Sequence, residues 1–170
     1  MIVDVALLKD GEISFDFQIA PDEIDLEGED VKLRDAVKFE GKLKRGIAQT
    51  DVHGKIFGEI EVECNRCLQA AEMYLEFPFE AVFVTAENYT QEKEAELKAG
   101  DLEVSIFEGD KLDLTELARE QILLNLPAQV FCREDCQGLC QKCGANLNLI
   151  DCNCEESEVD PRWAALRNLK

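Results

Sequence analysis

Basic residues are scarce in this chain: 18 lysines and arginines stand against 37 aspartates and glutamates, a formal net charge of −19 over 170 residues. A protein this acidic repels bare nucleic acid at long range, which excludes non-specific electrostatic binding of DNA or RNA. It leaves a local basic patch, or a protein partner with a basic surface; plain solubility is the competing reading of the same charge. Histidine is almost missing. His53 is the only one, and beside Gly54 it reads as a surface residue in a turn. No nucleophile–base arrangement and no glycine-rich phosphate loop accompany it. The carboxylates are too numerous for any pair to stand out as an acid and base. No apolar run approaches the ~20 residues of a membrane span. Met1 is followed by Ile2-Val3-Asp4, with neither the basic nor the long apolar segment of a secretory leader behind it. These absences lead us to expect a cytoplasmic, non-enzymatic protein with no membrane partner and no small-molecule substrate.

What is present is enough for a core. Apolar residues make up 46% of the chain, and a chain of this length buries roughly 70% of its extended surface on folding. The first 85 residues read as strands. Ile13, Phe15, Phe17 and Ile19 alternate with polar neighbours, the period of a half-buried strand. Pro21 to Asp30 is acidic and reads as a loop, and Val31 to Gln49 carries shorter alternations broken by Gly41 and Gly46. Ile56, Gly58, Ile60, Val62 and Cys64 share one strand face; Ala71, Met73, Leu75, Phe77, Phe79, Ala81 and Phe83 share another. Two long strands around a short Cys-rich link predict a hairpin. Asn88 to Ala99 reads as a short helix or a charged loop, and Leu102 to Phe107 as a strand. The clearest helix runs from Asp113, with Glu116 three residues on, to Leu126. Leu114, Leu117, Ala118 and Ile122 recur at helical spacing, with Leu124 close by, and Pro127 stops it. Asp160-Pro161 predicts the start of a short final helix, with Trp163, Ala164, Leu166 and Leu169 available to dock it.

Eight cysteines are many for such a chain, and they come in close pairs: Cys64/Cys67, Cys132/Cys136, Cys140/Cys143 and Cys152/Cys154. In a reducing compartment such pairs read as metal ligands before disulfides. A tetrahedral zinc ion takes four thiolates, usually as two close pairs, so the spacing predicts one or two structural zinc ions. The four nearest in sequence, Cys140, Cys143, Cys152 and Cys154, close a small loop at little entropic cost and are assigned one ion. Cys132 and Cys136 then join Cys64 and Cys67, tying the hairpin tip to the segment after the main helix. The competing partition joins Cys64/Cys67 to Cys140/Cys143. The unusual single-residue gap of Cys152 and Cys154 also leaves a one-zinc protein open. A redox pair normally sits at a helix N-terminus, where the dipole lowers the thiol pKa, whereas Cys64 and Cys67 lie between strands. Disulfides would require an exported protein.

One stretch runs against the overall charge. Lys32, Arg34, Lys38, Lys42, Lys44 and Arg45 place six basic residues within a short window, opposed only by Asp35 and Glu40. Lys38, Lys42 and Lys44 share one strand face, a candidate contact for phosphate or a partner. Edge lysines that discourage aggregation are the bland reading of the same face. Arg66, inside the first cysteine pair, either reaches a partner's phosphate or carboxylate or offsets the thiolate charge. Arg162, Arg167 and Lys170 give the end of the chain a weaker basic tip.

Four segments, in order, resemble a known family. They are Cys64-Asn-Arg-Cys-Leu68, the helix from Leu112 to Pro127, the cysteine segment from Cys132 to Asn148, and Asp160-Pro-Arg-Trp-Ala-Ala-Leu166. Their order and spacing resemble the YceD-like family, the large ribosomal RNA subunit accumulation proteins, over roughly residues 10–170. The resemblance implies a soluble protein of bacteria or plastids that supports accumulation or processing of large-subunit (23S) ribosomal RNA, with no catalytic activity attached. It implies large-subunit ribosomal RNA as partner; the net charge of −19 adds a basic ribosomal protein or assembly factor as the other candidate contact. Some members lack much of the second cysteine cluster, so the expectation of zinc here rests on this chain's own spacing. A zinc-stabilised adaptor for a basic partner unrelated to ribosomes is the alternative, and a thiol redox sensor a third. The fold expected is α+β: an antiparallel sheet or partly open barrel packed on one main helix over residues 1–127. A Cys-rich zinc segment and a short C-terminal helix, residues 128–170, pack on the same domain.

Overall fold

The computed structural model describes residues 1–8, 11–26, 31–86, 89, 104–107, 109–154 and 162. Its strands are β1 (Ile2–Asp4), β2 (Glu12–Ile19), β3 (Val31–Leu33), β4 (Val37–Arg45), β5 (Thr50–Glu63), β6 (Ala70–Thr85), β7 (Val104–Phe107) and β8 (Lys111–Asp113). One α-helix follows, α1 (Leu114–Asn125). The strands run in the order β2-β4-β5-β6-β7, with β3 also beside β5, while β1 and β8 form a separate two-stranded sheet. The main sheet is open rather than a barrel. Nor is it wholly antiparallel, because β7 runs parallel to β6, with Val82 opposite Val104 and Thr85 opposite Phe107. Parallel neighbours need a crossover of a dozen residues or more, and the long 86–103 link supplies that length, whereas the four-residue link from β4 to β5 can join antiparallel strands only.

Alternation decides which face is buried. On β4, Val37, Phe39 and Leu43 are fully buried while Lys38, Lys42 and Lys44 look outward. On β6, Ala71, Leu75, Phe79 and Phe83 are buried, with Met73, Phe77 and Ala81 half-buried on the same face. Phe39 is stacked between Phe15 (centroids 5.1 Å apart) and Phe79 (4.8 Å). Two glycines make this stack possible. Gly41 lies opposite both Phe15 and Gly54, so neither breaks its strand. A Cβ on Gly41 would lie 2.7 Å from Phe15 Cζ, and one on Gly54 would lie 2.9 Å from Phe79 Cε1. The rings occupy the volume that side chains would otherwise fill. His53, next to Gly54, therefore lies within β5 and not in a turn. A Cβ on Gly54 would also lie 2.1 Å from the Glu40 carbonyl oxygen, so Gly54→Ala must spread β4 from β5 as well as displace Phe79; we expect a loss of ~1–3 kcal/mol in urea unfolding, and an unchanged midpoint would refute the close approach at this glycine.

The β3–β4 segment is bent. Leu33 pairs with Ile60 and Lys38 with Phe57, so residues 34–37 face only Gly58 and Glu59. Such a bulge needs room opposite it. Gly58 provides the room, since a Cβ there would lie 2.8 Å from Val37 Cγ2.

The helix follows its sequence signals. Asp113 caps it, its carboxylate accepting the Thr115 N–H at 2.9 Å. Glu116 sits in the first turn, where the helix dipole favours an acid, and pairs with Arg119 at 3.1 Å. Leu114, Leu117, Ala118 and Ile122 are buried; Leu124, by contrast, is 76% exposed. Among the described residues no helix is long and apolar enough to cross a membrane. Most of the 88–99 segment and the expected C-terminal helix, apart from Arg162, lie outside the described residues.

Two compact units result. One comprises residues 1–62 and 72–128, the sheet and helix; the other comprises 63–71 and 129–170, which hold all eight cysteines.

Candidate metal centre

The described residues of the second unit from Cys64 to Gln69 and from Gln129 to Cys154 form turns rather than long regular elements. After Glu63 the chain leaves β5, turns through Cys64 to Cys67 and re-enters a strand at Ala70. The Leu68 N–H donates to the Cys64 carbonyl at 2.9 Å, and Leu68 takes the left-handed conformation (φ 57°) that reverses the chain. Asn65 holds the next segment beside it. Its N–H donates to the Val130 carbonyl at 2.9 Å, and its side-chain oxygen accepts the Val130 N–H at 2.6 Å. Cys132 and Cys136 are thereby brought to the hairpin tip.

The eight sulfurs gather as two groups of four. Cys64, Cys67, Cys132 and Cys136 form one and Cys140, Cys143, Cys152 and Cys154 the other; in each, all sulfur atoms lie within 4.8 Å of one another. This is the grouping expected from loop closure, and the partition joining Cys64/Cys67 to Cys140/Cys143 is absent. In the first group Cys64 Sγ lies 3.8 Å from Cys136 Sγ and Cys67 Sγ 3.6 Å from Cys132 Sγ. These are not disulfide lengths, which are about 2.05 Å. A tetrahedron with metal–sulfur bonds of about 2.3 Å has edges of about 3.8 Å. The donor set therefore fits a single tetrahedral ion at the centre of each group. The first group is largely enclosed, with Cys64, Cys67 and Cys136 buried against Leu139; the second is more open, with Cys143 and Cys154 exposed.

Backbone N–H groups point at the sulfurs in a repeating manner. Burial alone disfavours the Cys64 thiolate, yet N–H donors of Cys132, Arg66 and Cys67 outweigh it and bring its pKa down to about 6. Cys140 receives N–H groups from Cys143 and Lys142 and is likewise lowered to about 6. Both pairs thus offer their first sulfur to the second and third residues after it, a turn in which amide dipoles stabilise negative sulfur. Other members move the opposite way. Burial, then the thiols of Cys67, Cys136 and Cys64, push Cys132 up to about 12. Crowding by Cys143 and Cys140, followed by burial, pushes Cys154 up to about 12. Four negative sulfurs around one point repel one another, and a divalent cation is the natural counter-charge.

Arg66 serves this unit through both its parts. Its amide faces Cys64, while its guanidinium donates to the carbonyls of Glu134 (3.3 Å) and Cys136 (3.0 Å) and lies 4.2 Å above the Phe131 ring. It clamps the loop carrying the second cysteine pair.

The six basic residues from Lys32 to Arg45 lie in the first unit, four of them with partners among the described residues. Lys38 contacts Glu40 and Asp16, Lys42 bonds Glu12 at 2.7 Å, and Arg34 pairs with Glu72. Arg45 donates to the Val5 carbonyl at 2.6 Å. Lys32 and Lys44 are exposed on β3 and β4. The outward row of Lys38, Lys42 and Lys44 is thus interleaved with carboxylates from β2 and from β4 itself.

Sequence reasoning missed Asn148. Its Nδ2 donates to Cys136 Sγ at 3.4 Å, and its Oδ1 accepts from Gln137 N and Arg133 Nη2, both at 2.8 Å. An asparagine in a loop carries no periodicity, and only its position inside the cysteine segment hinted at a role.

Relatives exist among known proteins. A Bacillus subtilis (strain 168) protein, YlbN, is 28% identical over 156 residues, covering 91% of this chain and 86% of its own length. A Mycobacterium tuberculosis (strain H37Rv) protein, Rv2926c, is 28% identical over 137 residues, 81% of this chain; the match spans only 59% of that protein. The chloroplastic large ribosomal RNA subunit accumulation protein YCED homolog 1 of Arabidopsis thaliana is 35% identical over 60 residues, 35% of this chain and 19% of its own. No solved structure matches. The family model described as large ribosomal RNA subunit accumulation protein YceD matches residues 52–170, a span that starts within β5 and takes in the helix and every cysteine. The chain belongs to the YceD family.

Proposed function

We propose that this chain is a non-enzymatic ribosome biogenesis factor that supports accumulation or processing of large-subunit ribosomal RNA. Two structural zinc ions hold its second unit. The observation that carries the functional part is the family match over residues 52–170, to which the name of the Arabidopsis relative adds. The zinc part is supported by two closed sets of four thiols whose spacing suits a single ion each. All-cysteine sites leave no coordination position for water or substrate, so each ion shapes the fold and performs no chemistry. Cys64, Cys67, Cys132 and Cys136 hold one ion; Cys140, Cys143, Cys152 and Cys154 hold the other.

Charge favours a basic ribosomal protein or assembly factor as the direct contact. With a net charge of −19 and most of its clustered basic residues engaged by its own carboxylates and carbonyls, the chain offers little to a phosphate backbone. An acidic protein can shield a basic one until it docks on RNA. Depleting the protein from cells tests the function. Large-subunit ribosomal RNA should fall while the small-subunit species holds, and an unchanged ratio overturns the proposal. Crosslinking then identifies the contact: protein adducts are expected, and RNA adducts at Lys32, Lys38, Lys42 or Lys44 would reassign it.

A further inference from the structure

Asn148 occupies an unusual place between the two cysteine groups. It lies in the loop from Cys143 to Cys152, whose ends belong to the second group. Yet its amide nitrogen donates to Cys136 Sγ of the first group at 3.4 Å. The amide orientation is determined by its neighbours. Oδ1 accepts two N–H donors, from Gln137 and Arg133, while Nδ2 also donates to Asn146 Oδ1 at 2.8 Å. Reversing the amide would set donor against donor at Gln137 and Arg133, and acceptor against acceptor at Asn146.

The segment joining the groups is held from both sides. Cys136 belongs to the first and Cys140 to the second. Between them, the Leu139 N–H donates to the Arg66 carbonyl at 3.1 Å, inside the first cysteine pair. The Gly138 carbonyl accepts the Leu147 N–H at 2.9 Å, and Leu139 forms an isolated β-bridge with Asn146, both in the second group's loop. Gly138 has φ 77°, and a Cβ there would lie 3.0 Å from the Arg66 carbonyl oxygen, so the close approach requires glycine.

We propose that the two groups form one coupled pair of metal sites, with Asn148 as the positioning residue that links them. This rests on the zinc reading above. Metal bound by Cys140, Cys143, Cys152 and Cys154 pins both ends of the 144–151 loop and so keeps Asn148 against Cys136. There its N–H offsets charge on a sulfur of the first site and strengthens metal binding. When the second site is empty the loop ends are free, and ordering them again costs closure entropy. Linkage makes the effect mutual: an ion in the first site, by anchoring Cys136, raises the second site's affinity by the same factor.

Zinc titrations against a competing chelator test this on the full chain, with stoichiometry read by native mass spectrometry. Wild-type protein that takes up fewer than two zinc ions sinks the underlying two-zinc reading. Given two ions, Cys143→Ser should weaken the remaining, first site about tenfold or more, and Asn148→Ala by a similar factor, the range of outer hydrogen bonds to metal ligands. The double variant should bind no more weakly than Cys143→Ser alone, because the loop that presents Asn148 is already loose. First-site affinity untouched by Cys143→Ser, or a double variant whose losses multiply, overturns the coupling while leaving zinc binding intact. Asn148→Ala alone keeps all eight thiols and covers the case in which Cys143→Ser does not fold. Both zinc affinities should fall in it, whereas weakening of one site only rejects the proposal.

Discussion

Cys67→Ser is expected to release zinc from the first site and to open residues 129–154 to protease. Cys67 is buried, and its sulfur lies 3.6 Å from that of Cys132 within the group of four. A structural zinc site contributes about 10–16 kcal/mol of apparent binding free energy at neutral pH, on the scale of a whole domain's stability. The unit has little else to hold it. Among the described residues its buried apolar cluster consists of Cys64, Cys67 and Cys136 with Leu139 against them, and these residues form no strand or α-helix beyond the ends of the β5–β6 hairpin. Trypsin should then cut at Arg133 and Lys142 at low enzyme ratio, and metal analysis should show at least one zinc lost per chain. Removing metal with chelator should produce the same cleavage in the wild type. Protection and metal content retained in Cys67→Ser would refute the first site.

Phe39→Ala is expected to be the most damaging single truncation in the sheet unit, at ~3–5 kcal/mol. Phe39 is fully buried and is the middle ring of three, stacked on Phe15 at 5.1 Å and Phe79 at 4.8 Å, with Phe17 edge-on at 5.6 Å. Its loss leaves a cavity facing β2 and β6 that no neighbour can refill, because Gly41 and Gly54 line the sheet beneath the outer rings. Urea unfolding with intrinsic and far-UV signals reads the change. A shift below ~1 kcal/mol, the typical cost of an ordinary substitution, would mean that the stack relaxes and that the glycines do not matter.

Much of this was legible in the chain because it is written in local spacing. Alternation over Ile13 to Ile19 and over Ala71 to Phe83 identified the buried faces of β2 and β6. Asp113, the apolar positions at helical spacing and Pro127 bounded α1 to within a residue. The cysteine pairs, with the low entropic cost of closing the last loop, led to the two groups of four that the fold assembles.

Other features depend on residues far apart in the chain, which no short window records. The direction of β7, parallel to β6, is permitted by the length of the 86–103 link and is not recorded in the composition of Val104–Phe107. Gly41 read as a strand break and Gly54 as part of a turn; opposite each other in the sheet they became the floor beneath Phe15 and Phe79. The carboxylates of Glu12, Asp16 and Glu72 that stand among the charges of the Lys32–Arg45 stretch come from other strands, so the stretch by itself does not record them. Arg66 was ambiguous until Phe131 and the carbonyls of Glu134 and Cys136 were seen around its guanidinium. By itself, then, the sequence determined element type, buried face and ligand chemistry, since each rests on residues two to four positions apart or on side-chain identity. Tertiary structure alone decided strand direction, the pairing of charges and the place of Asn148 beside Cys136, since a hydrogen bond or ion pair between distant residues exists only once the chain has closed around it.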